Sequence, residues 1–308
     1  MILLLTLYAL FASTFILARE AVLACPPILF IGIRMVIAGS FLLLFVRFFK
    51  KESFIIRNNE LKWFLGIVLF HIYGAYVLEF VSLQYLTGAK ASLLYNLSPF
   101  ITALLSYFFL REVLSLQKWI GLVIGFFAFI PILVTQAPFP ESLTPSVGFF
   151  SGAECLLIIS ITASCMGWIF MKKLISSYGH SYIFVNGVGM LVGGILALAT
   201  SLFCETWPSL QSLLHNIPFI RSLFFLIMIS NVICYNLYGK LLHRYQTTTL
   251  SFFGATTPLF AALFGWIWLG ETVNEWFFVT ILLVVIGLYV FYKEELKNNI
   301  LTEADTNL

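Results

Sequence analysis

Few side chains in this sequence could do chemistry, and they recur in two matching places. The first reads Tyr76-Val-Leu-Glu79, then Leu93-Leu-Tyr-Asn-Leu-Ser98-Pro99-Phe-Ile-Thr-Ala103, then Arg111-Glu112. The second reads Tyr235-Asn-Leu-Tyr238, then Phe252-Phe-Gly-Ala-Thr-Thr257-Pro258-Leu-Phe-Ala-Ala262, then Gly270-Glu271. One constant shift, without a gap, carries Tyr76 onto Tyr235, Ser98-Pro99 onto Thr257-Pro258 and Glu112 onto Glu271. These residue types suit recognition more than bond breaking. Tyr76, Glu79, Tyr95, Asn96 and Ser98, with Tyr235, Tyr238, Thr256 and Thr257, are expected to line one cavity. Asn231 and Trp168 add polar and aromatic surface to it. Aromatic rings with a few placed hydrogen-bonding groups suit a small organic solute bearing an amine or a ring. In a chain with 33 Phe, packing explains most single aromatics. Tyr and Asn differ, because a buried hydroxyl or amide needs a partner.

The elements that hold these residues follow from composition. Charged residues make up 10% of the chain and hydrophobic ones 61%, whereas a soluble domain carries about a quarter charged residues. Such a chain cannot cover a water-facing surface, so an integral membrane protein is expected. A span needs about 20 apolar residues, and ten segments qualify. Helices 1 and 2 are expected at Ile2–Ala18, ended by Arg19-Glu20, and from Pro26-Pro27 to Val46. Helices 3, 4 and 5 are expected at Trp63–Gln84, Ala91–Leu110 and Trp119–Val134. A loop with Pro138, Pro140 and Pro145 follows. Helices 6 to 10 are expected at Phe149–Met171, Tyr182–Phe203, Phe219–Leu241, Thr248–Leu269 and Trp276–Tyr292, before a frayed polar tail.

Lys and Arg collect on the cytoplasmic side. Arg47, Lys50, Lys51, Arg57 and Lys62 follow helix 2, Arg111 and Lys118 follow helix 4, and Lys172 and Lys173 follow helix 6. Lys240 and Arg244 follow helix 8, and Lys293 and Lys297 follow helix 10. The opposite loops hold Arg19, Lys90 and Arg221. Both termini are expected in the cytoplasm, and the membrane is expected to be the bacterial inner membrane. Five helices per repeat is an odd number, so the second half must be inverted. The fold class is an all-α membrane protein with ten transmembrane helices in two inverted five-helix repeats. The first repeat is expected over 1–137, a linker over 138–148, the second repeat over 149–292 and a cytoplasmic tail over 293–308.

Inside the spans, Pro99 and Pro258 each remove a backbone donor, and the expectation is a kink that leaves the carbonyls of Tyr95 and Gly254 partly free. Paired kinks in helices 4 and 9 fit a cavity at the repeat interface. At helical spacing His71, Tyr76 and Glu79 form a polar stripe on helix 3. A charge in the bilayer is costly unless paired or hydrated. Glu79 therefore either pairs with Arg34 in helix 2, or Arg34 meets an anionic group on the substrate. Glu79 is also the one candidate for proton coupling, and Glu112 and Glu271 read as caps or gates. Gly121-Leu-Val-Ile-Gly125 and the helix 7 glycines Gly187, Gly189, Gly193 and Gly194 permit close helix approach. The helix 5 pattern serves either the protomer or a homodimer.

Cys25, Cys155, Cys165, Cys204 and Cys234 show no metal spacing, and no metal, cofactor or nucleic-acid partner is expected beyond substrate and bilayer. Cleavage at Val22-Leu-Ala-Cys25 is not expected, because no positive charge precedes helix 1. No nucleotide-binding loop is present. A membrane enzyme acting on a lipid or isoprenoid is the alternative to transport. It would want clustered acids, histidines or a nucleophile–base pair, and His71, His180, His215 and His243 are scattered.

The chain resembles the drug/metabolite transporter superfamily, specifically the ten-helix EamA type. Pro26-Pro27 leading to Arg34, Ser98-Pro99 followed by Arg111-Glu112, and Thr257-Pro258 with Leu269-Gly-Glu271 carry the resemblance over nearly the whole chain. Helix 1 departs from it with Tyr8-Ala-Leu-Phe-Ala-Ser13 where many relatives have Trp-Gly, and helix 7 has Gly193-Gly194 where a match to Arg34 would stand. The resemblance implies an inverted-repeat bundle around a central cavity, working by alternating access without ATP. It implies a small organic metabolite as substrate, such as an amino acid or a nucleotide-linked metabolite of the S-adenosylmethionine type.

Overall fold

The computed structural model describes residues 2–50, 54–86, 91, 94–128, 146–147, 150–269 and 276–305. Each of the ten apolar segments contains a helix among the described residues, and helix 6, expected from Phe149, starts at Gly152. Six are long and apolar enough to cross a membrane: helix 1 (Ile2–Ala24), helix 2 (Pro27–Lys50), helix 3 (Leu61–Ser82), helix 6 (Gly152–Tyr178), helix 7 (Tyr182–Cys204) and helix 8 (Ile217–Leu241). Helix 4 covers Tyr95–Leu110 and helix 5 covers Leu116–Phe127. Helix 9 runs as Thr247–Phe253, Gly254–Thr256 and Thr257–Leu269. Helix 10 is Trp276–Asp305. Among the described residues the strand content is one two-residue pair, Ser146–Val147 against Phe150–Ser151. The protein is an all-α, multi-pass integral membrane protein.

Several boundaries differ from the sequence reading, two of them because a charge finds a partner inside the structure. Helix 1 continues past Arg19-Glu20 to Ala24. Arg19 donates to the Leu83 carbonyl, and Glu20 meets Arg221 and Ser222. Helix 6 passes Lys172 and ends at Tyr178, since Lys172 is held by Glu112. The tail, expected to be frayed, is helical to Asp305. Lys51, Lys90, Pro138, Pro140, Pro145, Gly270 and Glu271 lie outside the described residues.

The duplication extends to local backbone form. The offset that carries Pro99 to Pro258 is 159 residues (258 less 99). It also carries a 3-10 turn, Tyr95–Leu97, onto Gly254–Thr256, and the helix Ser98–Leu110 onto Thr257–Leu269. A π-helical stretch in helix 3, Ile67–Gly74, has its mate in helix 8, Leu226–Cys234. Proline explains the first feature. It lacks the N–H that a continuous helix needs, so each helix tightens one turn early and restarts at the proline. The carbonyls of Tyr95 and Gly254 are therefore not left free, as the sequence suggested. They accept from the Ser98 and Thr257 backbone N–H groups.

Packing obeys the same symmetry. Helix 1 packs on helices 8 and 9, helix 6 on helices 3 and 4, and helices 2–7, 4–9 and 5–10 form direct pairs. Exchanging each helix with the one five places on returns the same set. Five spans per repeat make that relation an inverted one.

Small residues let the pairs close. A Cβ on Gly194 would lie 2.7 Å from the Val36 backbone nitrogen, and one on Gly39 would collide with the Leu191 backbone. Backbone cannot swing aside, so overpacking there costs about 1–3 kcal/mol. Gly39→Ala is expected to lower the thermal midpoint of the detergent-solubilised protein. An unchanged midpoint would show that helices 2 and 7 separate freely. In helix 5, a Cβ on Gly121 would lie 2.8 Å from the Phe291 nitrogen, and one on Gly287 would lie 2.9 Å from the Gly125 nitrogen. The Gly121–Gly125 pattern thus packs inside the protomer against helix 10.

The two prolines that open helix 2 leave its first amides without intrahelical partners. The Glu205 carboxylate takes them: the amides of Ile28 and Leu29 donate to its two oxygens at 2.9 and 2.8 Å. Burial, with the Glu205 charge nearby, pushes the Cys25 thiol up to about 12.

Candidate functional site

Helices 1, 3, 4, 6, 8 and 9 enclose a cavity, with helix 2 contributing Arg34. The free volume of this cavity is about 130 Å³. The repeat mates Tyr76 and Tyr235 meet there, with ring centroids 6.1 Å apart. The break at Pro99 and Pro258 brings Ser98 and Thr257 to the same space.

One wall is aromatic. Trp168 of helix 6 stacks on Tyr238 at 3.8 Å with an interplanar angle of 22°, and Tyr235 lies 5.0 Å from Trp168. Phe15 meets the Tyr95 ring edge-on at 5.5 Å. Flat faces of this kind attract purines and cations. A second wall carries hydroxyls. Thr102 donates to Ser251 at 3.1 Å, and Ser251 donates to Ser98 at 3.3 Å.

The third feature is charge. Arg34 is 1% exposed. Its Nε donates to Asn231 Oδ1 at 2.7 Å, and its guanidinium lies over the Tyr76 ring at 5.0 Å and the Phe80 ring at 5.8 Å. The Glu79 carboxylate faces the Tyr95 hydroxyl and feels the Arg34 charge at longer range. Among the described residues no ion pair within 4.0 Å joins Arg34 to Glu79 or to any other carboxylate. The direct pairing offered by the sequence is therefore not made.

Of the residues expected in the cavity, the structure places Tyr76, Glu79, Tyr95, Ser98, Trp168, Tyr235, Tyr238 and Thr257 on its lining. Asn231, Asn96 and Thr256 lie off it. Asn231 is turned to Arg34 and to the sulfurs of Met35 and Met190. Asn96 is 5% exposed and occupies the 3-10 turn, whose tighter winding rotates it away from its neighbours' face. Thr256 returns its hydroxyl to the Phe253 carbonyl. Pro99 and Pro258 shape the helices without touching the space. His71 is a correction to the expected stripe. It lies in the π-helical stretch, where 3.6-residue spacing fails, and packs behind the wall, 4.2 Å from Trp168 and 5.2 Å from Tyr235.

Helix 1 supplies residues that were not foreseen: Tyr8, Phe11, Thr14 and Phe15. So do Ser164 and Cys165 of helix 6, Thr102, Ser230 and Ser251. Tyr8 was the readable one. Its hydroxyl sits in an apolar helix and needs a partner, which is the Leu250 carbonyl. His71 and His215 lie away from the other histidines, whereas His180 and His243, scattered in the sequence, line one pocket with Glu60. His180 bonds Glu60 at 2.9 Å and His215 bonds the Gln211 carbonyl at 2.8 Å. Among the described residues no group of three His, Cys, Asp or Glu could hold a metal.

Helix 4 ends below the cavity with Arg111 in the left-handed region, φ 58°. That turn directs Glu112 back toward helix 6, where Lys172 Nζ donates to Glu112 Oε1 at 2.8 Å and to the Tyr245 carbonyl at 3.2 Å. One lysine thus ties together helix 4, helix 6 and the turn between helices 8 and 9.

The chain matches the EamA-like transporter family over residues 1–134 and again over 151–293. It is 34% identical over 300 residues to the "S-adenosylmethionine/S-adenosylhomocysteine transporter" of Chlamydia muridarum (strain MoPn / Nigg), covering 96% of this chain and 92% of that one. It is 32% identical over 292 residues to the protein of the same description from Chlamydia trachomatis serovar L2, covering 94% and 87%. A solved crystal structure superposes with a TM-score of 0.69 over 94% of each chain at 19% identity, a likeness of fold.

Proposed function

This chain belongs to the EamA-like transporter family, and on that premise we propose that it exchanges S-adenosylmethionine, or a metabolite of the same chemistry, for S-adenosylhomocysteine by alternating access. The observation that carries the reading is the aromatic stack of Trp168 on Tyr238 in the same cavity as Arg34 and Glu79. A nucleoside with an amino-acid tail needs those features together. Its purine needs a flat face, its ammonium or sulfonium needs a carboxylate or ring faces, and its carboxylate needs a cation. Relatives at 34% and 32% identity carry that substrate pair in their names.

The substrates differ by one charge, and exchange driven by their gradients needs no titrating group. Glu79, the carboxylate on the cavity lining, is the candidate for any proton coupling. Transport is favoured over the lipid-enzyme alternative because the relatives are named as transporters. The repeats are assigned to 1–137 and 149–292, with 138–148 as linker and 293–308 as tail. The protein is assigned to a bacterial cytoplasmic membrane with both termini inside, on the strength of its Lys- and Arg-bearing loops.

Counterflow tests the reading. Proteoliposomes loaded with unlabelled S-adenosylhomocysteine should take up labelled S-adenosylmethionine faster than empty vesicles, with saturation. Equal uptake by loaded and empty vesicles would sink the exchange.

A further inference from the structure

We propose that Arg34 is the residue that selects substrates bearing a free carboxylate, a deepening of the function proposed above that rests on it. The ground is an unbalanced charge. Arg34 is 1% exposed in the interior of a membrane bundle, where a cation without a counter-ion is strongly disfavoured. Its one hydrogen-bond partner among the described residues is Asn231, a neutral amide that holds Nε and leaves the terminal nitrogens without a protein acceptor. The Tyr76 and Phe80 ring faces at 5.0 and 5.8 Å offset part of the lost hydration. Glu79 makes no ion pair with Arg34 within 4.0 Å among the described residues; its charge acts on Arg34 without direct contact, and Tyr95 stands beside Glu79. Yet Arg34 lines the cavity.

A structural arginine would have its carboxylate. This one is positioned instead: Asn231 fixes one edge of the guanidinium, and the rings fix its plane. What remains is a planar fork of donors aimed at the space a substrate occupies, the geometry that a carboxylate meets with two parallel hydrogen bonds. Glu79, on the same lining and beyond ion-pair distance, leaves room for an ammonium beside that carboxylate. The two charges together fit the head of an α-amino acid, and Trp168 with Tyr238 lies ready for the ring at its other end.

The test is competition in counterflow, using the full chain in proteoliposomes and labelled S-adenosylmethionine as the reporter. The competitors are S-adenosylhomocysteine, its carboxyl methyl ester, and decarboxylated S-adenosylmethionine. In the unsubstituted protein the ester and the decarboxylated compound should compete about 10- to 100-fold more weakly, the loss of a charge-assisted hydrogen-bond pair. In Arg34→Gln that discrimination should collapse toward unity, and Arg34→Lys should restore only part of it. Should Arg34→Gln fail to fold, Arg34→Lys carries the test, because it keeps the buried cation and loses the planar fork, and discrimination undiminished in it overturns the role of Arg34. Competition by the ester equal to that of the parent, with counterflow intact, overturns the role of Arg34 and leaves the transport reading standing. Absence of counterflow in the unsubstituted protein overturns both.

Discussion

Trp168→Ala is expected to raise the half-saturation concentration for S-adenosylmethionine counterflow by about 10- to 100-fold, since stacking a base on an aromatic side chain contributes about 1–3 kcal/mol. Trp168 merits that expectation because its plane is fixed from three sides. Tyr238 stacks on it at 3.8 Å, Tyr235 leans on it at 5.0 Å, and His71 meets it edge-on at 4.2 Å. Gly167 permits the last contact, because a Cβ at that position would collide with the His71 ring. A rigid ring loses little entropy when a ligand stacks on it. Trp168→Phe keeps a face and should lose about tenfold or less. The control is methionine as a competitor, which lacks the purine. Its weak competition should be the same with and without Trp168. An equal loss for methionine and for the purine-bearing ligand would make Trp168 a packing residue and remove the aromatic wall from the recognition argument.

The sequence displayed this architecture because membrane helices are read from composition, and the duplication from residues that survive in register. Pro99 with Pro258 and Tyr76 with Tyr235 carried both. The tyrosines do face each other, as an axis between repeats requires. What stayed hidden followed from departures from the 3.6-residue period. His71 seemed to share a face with Glu79, but the π-helical stretch at Ile67–Gly74 turns it behind Trp168. Asn96 seemed a neighbour of Tyr95 and Ser98 in the cavity, but it sits in a 3-10 turn. Helix 1 was invisible as a source of lining because the repeat in register begins after it. Arg34 and Glu79 were both legible as costly charges. Whether they pair depends on the Asn231 amide, 197 positions away in the chain from Arg34, and no spacing rule reaches that far.

The second large effect concerns closure. The bond between Lys172 and Glu112 is 2.8 Å long, with side chains 17% and 11% exposed. A hydrogen bond between charged groups contributes about 1.5–3 kcal/mol, reduced somewhat by that partial exposure. If it closes this end of the cavity, losing it should shift the open population by about tenfold. The other carboxylate oxygen of Glu112 is buried and has no partner among the described residues, so this latch is tight on one side and unsatisfied by them on the other. Such a contact suits a joint that must release in every cycle. Cys165 is a built-in reporter: it lines the cavity and is 4% exposed. In a background with Cys25, Cys155, Cys204 and Cys234 changed to serine, Glu112→Gln should speed alkylation of Cys165 by a small hydrophilic maleimide about tenfold. The increase should appear only when the reagent is added on the face that carries Lys172. Lys172→Gln should do the same, and the double variant should add nothing further, because each change removes the same interaction. Additive effects of the two changes would mean that each side chain restrains a different element. An unchanged rate in both variants would place the barrier elsewhere, most directly in the helix 4 and helix 9 crossing held by Thr102, Ser251 and Ser98.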